Sequence, residues 1–235
     1  MMEALYMDDM NLRSFDATVV SADGRYITLD RTAFYPRSGG VAHDTGVLIR
    51  EEDGERFTVV FVAKKNGGIS HEVDRDGLES GDRIRAELDW ERRYALMRAH
   101  TSAHLLAALF HDRGAKITGN EIDVDKCRMD FNLPEFDRAL IDALIEEANA
   151  HIARGAVVKT SSLPREEALK TDHLVKLANS LPPDIETLRI VTIEGIDEQA
   201  DGGCHVSNIS EIGQIRFVKA DNKGKGNRRV YWTLD

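Results

Sequence analysis

The chain has few cysteines and no long apolar segment. Its 235 residues include two cysteines, Cys127 and Cys204, which argues against a disulfide-stapled scaffold and favours a reducing, cytosolic setting. No uninterrupted apolar run is long enough to span a bilayer, and residues 1–6 lack the basic start and apolar stretch of a signal peptide. We therefore expect a cytoplasmic protein with no membrane partner.

Basic residues are also fewer than acidic ones, 31 against 41. The formal net charge is −10, which argues against loose, non-specific nucleic-acid binding. Residues 216–229 are the exception, because they carry a single acidic residue beside six basic ones: Arg216, Lys219, Lys223, Lys225, Arg228 and Arg229. Such a segment can bind phosphates at one place on an acidic protein, although a solvated surface loop would have the same composition.

The first 90 residues carry the signals of an antiparallel β structure. The pairs Asp23-Gly24, Asp53-Gly54 and Asn66-Gly67 suit tight hairpin turns, because these residues accept the positive φ angles that such turns require. Strands are predicted at Phe15–Val20, Arg25–Leu29, Thr45–Ile49 and Arg56–Ala63. Three turn signals in succession predict a small antiparallel barrel or sandwich, and we assign it to a domain of residues 1–88.

The pattern becomes helical from residue 89 onward. Residues 91–111 contain no Gly or Pro and have apolar side chains at helical spacing. Further helices are predicted at Glu135–Arg154, capped by Gly155, and at Arg165–Lys170, with strands at Thr187–Ile193, Gln214–Val218 and Val230–Leu234. We expect residues 89–235 to form an α+β domain with helices packed on an antiparallel sheet.

His100 and His104 are four residues apart on the first predicted helix. Two imidazoles at this spacing share one face and can bind one metal ion, although a chance pair on a wet or packed face has the same spacing. A zincin protease needs a Glu directly after the first His. That position is Thr101 here, so a zincin is not expected.

A second candidate metal motif is the Gly-Gly-Cys-His sequence at residues 202–205. Its glycines allow a tight turn and close approach to a ligand, although an ordinary loop would look the same. His205 is the predicted third ligand, and Cys204 and Asp201 are further candidates. Three firm ligands leave one coordination position open, as catalytic zinc requires. We therefore predict one Zn2+ per chain.

Four separated motifs, taken in order, resemble a known family. Residues 89–106, which include the His pair, resemble the start of the editing domain of alanyl-tRNA synthetase, a domain that also occurs alone in the AlaX proteins. Residues 34–36 and 44–46, with Ser38, Gly39 and Gly40, resemble the family's glycine-rich motif. Residues 202–206 resemble its second metal motif, and residues 222–232 its C-terminal strand and loop. The likeness covers essentially the whole chain, which lacks adenylation and anticodon-reading regions and so resembles a medium-length AlaX protein acting in trans.

The resemblance implies hydrolysis of the aminoacyl ester on mischarged tRNA(Ala), chiefly Ser-tRNA(Ala), with Gly-tRNA(Ala) as a second candidate. Zinc would either anchor the substrate's amino group or orient a water molecule. Within this reading, Thr118 is the candidate for recognising the seryl hydroxyl. The candidates for tRNA phosphate contacts are Lys223, Lys225, Arg228 and Arg229.

The chain departs from the family pattern at three positions. Asp201 stands where the synthetase motif has Cys, and Cys204 stands where Thr is usual, so Asp201, Cys204 and water all remain candidates for the fourth ligand. Asp201 is also our candidate for a catalytic role beside the metal. Val41 replaces a Gln of the glycine-rich motif, so no role of that Gln is carried over.

Two other functions fit the same residues. One is a tRNA- or protein-binding module with a structural zinc ion, which a closed four-ligand site without hydrolysis would favour. The other is a metal-dependent hydrolase of small esters or amides, whose activity would not depend on the tRNA.

Overall fold

The structure, a computed structural model, describes residues 2–65, 67–133, 137–168, 170, 186–224 and 226–235. The chain forms two compact units, Met1–Leu96 and Met97–Asp235. Within the described ranges, no helix has both the length and the apolar character needed to cross a membrane.

The first unit contains a closed β-barrel and, apart from it, a parallel pair of short strands. Its strands are β1 (Glu3–Ala4), β2 (Ser14–Asp23), β3 (Tyr26–Leu29), β4 (Arg31–Thr32), β5 (Gly46–Arg50), β6 (Arg56–Lys65), β7 (Gly68–Val73) and β8 (Arg83–Leu88). The barrel closes in the order β2-β3-β7-β6-β5-β8, with antiparallel pairs throughout, and β1 and β4 form the parallel pair. The predicted small antiparallel barrel is therefore confirmed. Strands β7 and β8 were not predicted.

Turn chemistry and alternation explain why these residues form the barrel. Gly24 and Gly54, in the turns between β2 and β3 and between β5 and β6, have φ angles of 56° and 74°. Alternate residues of the strands point inward, so Ile27, Leu48 and Ile84 are fully buried. The barrel interior is thus a packed hydrophobic core.

The imidazole of His71 lies within this core. It is fully buried, with Nε2 2.9 Å from Thr32 Oγ1 and Nδ1 3.1 Å from the carbonyl oxygen of Ile27. A carbonyl only accepts, so the Nδ1–H donates to Ile27 and Nε2 accepts from the Thr32 hydroxyl. Burial lowers the pKa of His71 from 6.5 to about 4, so the folded barrel holds a neutral imidazole.

We expect the pH dependence of stability to shrink in His71→Gln. The unfolded chain protonates this side chain near pH 6.5 and the folded chain only near pH 4. The neutral, buried imidazole therefore contributes its full stabilisation above pH 6.5. As the pH falls from 6.5 to about 4, the free energy of unfolding decreases by about 3 kcal/mol. Urea unfolding at several pH values measures this contribution as the difference between the two proteins. Parallel pH profiles for wild type and variant would contradict it.

The second unit is α+β, as predicted. Its helices are α1 (Trp90–His111), of which residues 97–111 belong to this unit, α2 (Arg138–Arg154) and α3 (Arg165–Ala168). Its strands are β9 (Ile117–Glu121), β10 (Cys127–Phe131), β11 (Val158–Pro164), β12 (Thr187–Ile193), β13 (Asp197–Ala200), β14 (Ile215–Asn222) and β15 (Arg228–Leu234). They form two antiparallel sheets, in the orders β14-β15-β10-β9 and β11-β12-β13.

Specific hydrogen bonds attach two of the helices to the four-stranded sheet. The indole Nε1 of Trp232 on β15 donates to Ser102 Oγ on α1 at 2.9 Å. The Asn149 amide on α2 makes two hydrogen bonds with the backbone of Ile215 on β14. These contacts join α1 and α2 to the same sheet.

Several element boundaries differ from the prediction. Helix α2 begins at Arg138, where the Asp137 side chain caps it by accepting from the backbone N–H of Leu140. Glu135, the predicted start, lies outside the described residues. The Gly155 cap is confirmed, because its N–H binds the carbonyl of His151. Helix α3 ends at Ala168 rather than Lys170, and β14 continues to Asn222, through the basic segment. That segment is therefore largely a strand pair rather than a loop.

Candidate metal centre

Helix α1 and the loop after β13 bring four potential ligands together. His100 and His104 lie one turn apart on α1 and are 4% and 3% exposed. Asp201 and His205 lie on the loop, and His205 is fully buried. The ligand atoms of all four residues lie within 4.8 Å of one another. The cluster contains the three predicted histidines and one of the candidates for the fourth ligand.

The distances within the cluster fit a metal ion. Asp201 Oδ1 is 3.7 Å from His100 Nε2 and 4.0 Å from His104 Nε2, and Asp201 Oδ2 is 3.2 Å from His205 Nε2. Neighbouring donor atoms of a tetrahedral zinc site, each about 2.1 Å from the ion, stand about 3.4 Å apart. Three imidazoles and one carboxylate are also a donor set that zinc accepts.

Burial sets the protonation state of His100 and His205. It lowers the pKa of His100 to about 4 and holds the pKa of His205 well below 6.5. Burial by itself would raise the pKa of Asp201, but the interactions with His100 and His205 outweigh it and leave that pKa well below its usual range. Neutral imidazoles beside an ionised carboxylate are the forms of these side chains that bind metals.

Gly203 allows the loop to approach the helix. Its backbone N–H donates to Asp201 Oδ2 at 2.5 Å, which orients the carboxylate. A Cβ atom at this position would lie 2.4 Å from Cε1 and 2.6 Å from Nδ1 of His100. The backbone therefore passes the imidazole more closely than any side chain would permit.

Gly203→Ala is expected to weaken metal binding by about 10- to 100-fold without unfolding the protein. The added methyl group would force the His100 ring or the loop to shift, and a displaced ligand binds its ion less well. Competition with a chromophoric chelator measures the zinc affinity. Gly68→Ala is the control, since its Cβ would meet only the Lys65 carbonyl oxygen at 3.8 Å. Equal affinities for both variants would contradict the expected effect.

Three residues around the cluster were missed by sequence reasoning. Asp197 Oδ2 lies 3.3 Å from His104 Nδ1, and Gln199 Nε2 lies 2.8 Å from His104 Nε2. The Arg189 guanidinium on β12 donates to the carbonyl oxygens of Asp201 and Gly203. A carboxylate behind a ligating histidine and a cation holding the ligand loop are common supports of metal sites. Their only sequence signal is proximity to the Gly-Gly loop along the chain.

Cys204 is buried beside the cluster, but its sulfur is not among the ligand atoms grouped there from the described residues. Its backbone carbonyl oxygen lies 3.3 Å from His100 Nδ1. The backbone of the loop thus directs the carboxylate of Asp201, four residues before His205, into the group of donors.

The remaining predicted site residues lie elsewhere. Thr118 is exposed on β9, and its hydroxyl donates to Asn227 Oδ1 at 3.0 Å. Arg228 is buried and donates to Asn222 Oδ1 and to the carbonyl oxygens of Gly224 and Asn227. Thr118 and Arg228 therefore both contact the loop between β14 and β15.

The other three basic candidates differ in their surroundings. Arg229 forms a two-pronged ion pair with Asp130, at 2.6 and 2.8 Å. Lys223 is exposed at the start of the loop, and Lys225 lies outside the described residues.

The glycine-rich motif forms a tight turn in the first unit. Ser38 and Val41 exchange two backbone hydrogen bonds across Gly39 and Gly40, whose φ angles are 60° and 82°. Positive φ at both central residues is the geometry of a type I′ hairpin turn. The motif's glycines are thus explained by the turn itself.

Comparisons with known proteins agree with this architecture. The family described as "Threonyl and Alanyl tRNA synthetase second additional domain" matches residues 188–231, and "tRNA synthetases class II (A)" matches residues 3–92. The alanyl-tRNA editing protein AlaX-M of Saccharolobus solfataricus is 47% identical over 237 aligned residues, covering 100% of this chain and 99% of that protein. The AlaX-M protein of Methanosarcina barkeri is 44% identical over 241, with the same coverage.

A larger relative contains the same region. The alanine–tRNA ligase of Saccharolobus islandicus is 35% identical over 237 aligned residues, which cover 97% of this chain but 26% of that enzyme. The fold and these matches define the class as an editing domain of the alanyl-tRNA synthetase type. The chain belongs to the AlaX-M family of alanyl-tRNA editing proteins, which confirms the resemblance seen in the motifs.

Proposed function

We propose that this protein deacylates mischarged tRNA(Ala) in trans, chiefly Ser-tRNA(Ala) and secondarily Gly-tRNA(Ala), at one zinc ion bound by His100, His104 and His205. The observation that carries the proposal is the convergence of three buried imidazoles and one carboxylate in a member of an alanyl-tRNA editing family. In this proposal residues 1–88 are the barrel domain with the glycine-rich motif, and residues 89–235 are the deacylase domain.

The bound metal ion and Asp201 would have different roles in the hydrolysis. When bound, zinc would supply a Lewis acid that polarises a substrate or water oxygen. Asp201 Oδ2 is held by the Gly203 N–H, while Oδ1 faces His100 and His104 and can accept a hydrogen bond that orients the attacking water. Water adds to the ester carbonyl carbon, the bond to the ribose oxygen breaks, and that oxygen takes up the proton that the water loses. The products are the free amino acid and the tRNA terminal hydroxyl.

The substrate class follows from a limit on selectivity. An activation site built for alanine cannot strongly exclude glycine, which is smaller, or serine, which adds only a hydroxyl group. A second site that hydrolyses the wrong product supplies the missing discrimination. We assign recognition of the seryl hydroxyl to Thr118, whose own hydroxyl is exposed on β9.

We propose that the loop between β14 and β15 contacts tRNA phosphates through Lys223 and Lys225. Arg228, which donates to the Gly224 carbonyl in the loop, and Arg229, which pairs with Asp130 on β10, add positive charge. Lys223→Ala is expected to weaken tRNA binding several-fold. It should also reduce the slope of log affinity against log salt concentration by about one. The control is Lys159→Ala on β11, a lysine paired with Glu194 in the other sheet. An unchanged slope for Lys223→Ala would refute this contact.

A second candidate function is a tRNA-binding module with a structural zinc ion. The observation that favours it is the fourth side chain, because coordination by Asp201 together with the three histidines would close the site. Binding of tRNA without any loss of its ester would support this alternative.

Deacylation of a panel of substrates tests the proposal. We expect hydrolysis of Ser-tRNA(Ala), slower hydrolysis of Gly-tRNA(Ala), and survival of Ala-tRNA(Ala). A small serine ester without tRNA is the discriminating control, since its hydrolysis at the same rate would indicate a general esterase. Absence of hydrolysis of all three tRNAs by the zinc-loaded protein would overturn the proposal.

A further inference from the structure

Thr101 lies between the two helical histidines and touches the third. It is fully buried on α1, at the position directly after His100. Its hydroxyl oxygen is 2.9 Å from the carbonyl oxygen of Met97, 3.1 Å from His205 Nδ1, and 3.2 Å from the backbone nitrogen of Val206. A hydroxyl donates one hydrogen bond and accepts two, so these three contacts use its full capacity.

The three contacts allow two proton arrangements. The Val206 N–H always donates and the Met97 carbonyl always accepts. When the Thr101 hydroxyl donates to Met97, it accepts from a proton on His205 Nδ1, and Nε2 then keeps a lone pair. When the hydroxyl turns to Nδ1, the single imidazole proton is on Nε2 and donates to Asp201 Oδ2, 3.2 Å away.

We propose that Thr101 is a positioning residue that fixes His205 with its proton on Nδ1, so that Nε2 is available as the metal ligand. A metal-ligating histidine almost always donates its other ring N–H to a nearby acceptor, and Thr101 supplies that acceptor inside a buried site. In the metal-free protein the same hydroxyl can rotate and donate a hydrogen bond to His205 Nδ1 instead. This inference rests on the proposed zinc site and adds a determinant of metal affinity outside the ligands.

The neighbouring residue offers a matched control. Ser102 is also fully buried on α1, and its hydroxyl also donates to a helix carbonyl, that of Ala99, while accepting from the Trp232 indole. Neither of these two contacts involves an imidazole of the cluster. Ser102→Ala therefore removes an equally buried hydroxyl without affecting the tautomer of His205.

The first measurement is Zn2+ affinity by competition with a chromophoric chelator. Thr101→Val, which keeps the shape and removes the hydroxyl, is expected to bind Zn2+ about 10- to 100-fold more weakly. Thr101→Ser should restore most of the affinity, and Ser102→Ala should bind like wild type. Wild-type affinity in Thr101→Val, or an equal loss in Ser102→Ala, would overturn the proposal.

The second measurement reads the tautomer itself. Long-range proton–nitrogen NMR correlations of protein with 15N-labelled histidine identify which ring nitrogen of His205 carries the proton. We expect the proton on Nδ1 in the zinc-loaded wild type, and a changed His205 pattern in metal-free Thr101→Val. A proton on Nε2 of His205 in the zinc-loaded wild type, or the same ring-nitrogen chemical shifts of His205 in metal-free wild type and Thr101→Val, would overturn the proposal. If the wild type binds no Zn2+, the proposed function fails, while this comparison still decides the role of Thr101.

Discussion

His104→Ala is expected to lose bound zinc and ester hydrolysis together. His104 is one of three buried imidazoles in the cluster, and its ring centroid lies 4.9 Å from that of His100 and 4.5 Å from that of His205. Removal of one ligand leaves two histidines and Asp201, which hold an ion far less firmly. The polarising effect of a metal is worth several kcal/mol in a transition state, so deacylation should fall by at least about 10³-fold.

The control variant for this effect lies on the same helix. His111→Ala removes an exposed imidazole at the end of α1 and should keep both the zinc and the rate. Elemental analysis gives the zinc content, and Ser-tRNA(Ala) hydrolysis gives the rate. Full zinc occupancy and wild-type turnover in His104→Ala would exclude the cluster as the reacting site.

The second large effect concerns substrate choice. We expect Ser-tRNA(Ala) to be hydrolysed and Ala-tRNA(Ala) to be spared, because a site that hydrogen-bonds a substrate hydroxyl leaves its own polar group unpaired when that hydroxyl is absent. Full use of this effect reaches about 10⁴-fold. A single exposed threonine contact supplies far less, about 1 kcal/mol or tenfold. Thr118→Val should therefore reduce serine turnover by about tenfold and leave zinc bound.

Two further variants separate recognition by Thr118 from its structural contact. Thr118→Ser keeps a hydroxyl and should retain serine turnover, whereas Asn227→Ala removes the residue to which Thr118 donates. If Asn227→Ala has the same effect as Thr118→Val, Thr118 acts by holding the loop. Equal rates on Ser-tRNA(Ala) and Ala-tRNA(Ala) for the wild type would reject proofreading altogether.

Short-range patterns predicted the parts of the molecule that depend on neighbours in sequence. Asp-Gly pairs specify hairpin turns locally, so the barrel was predictable from them. The spacing of His100 and His104 places both on one helix face whatever the tertiary fold. His205 was found because two glycines precede it in a recognisable motif.

Features that depend on distant strands were not predictable. The position of the Asp201 carboxylate in the cluster depends on the backbone path at Gly203, which packs closely against His100. The support from Arg189 depends on the pairing of β12 with β13. A count of charges likewise cannot reveal that Arg229 pairs with Asp130, since β10 and β15 are far apart in the sequence.

Reconstitution of metal-depleted protein tests the central claim most directly. The protein is stripped with a chelator, shown by circular dichroism to remain folded, and assayed for Ser-tRNA(Ala) hydrolysis as Zn2+ is added back. Zinc-dependent hydrolysis predicts negligible activity before addition and full recovery at about one equivalent per chain, with His104→Ala not recovering. Undiminished hydrolysis by the folded, metal-free protein would contradict it.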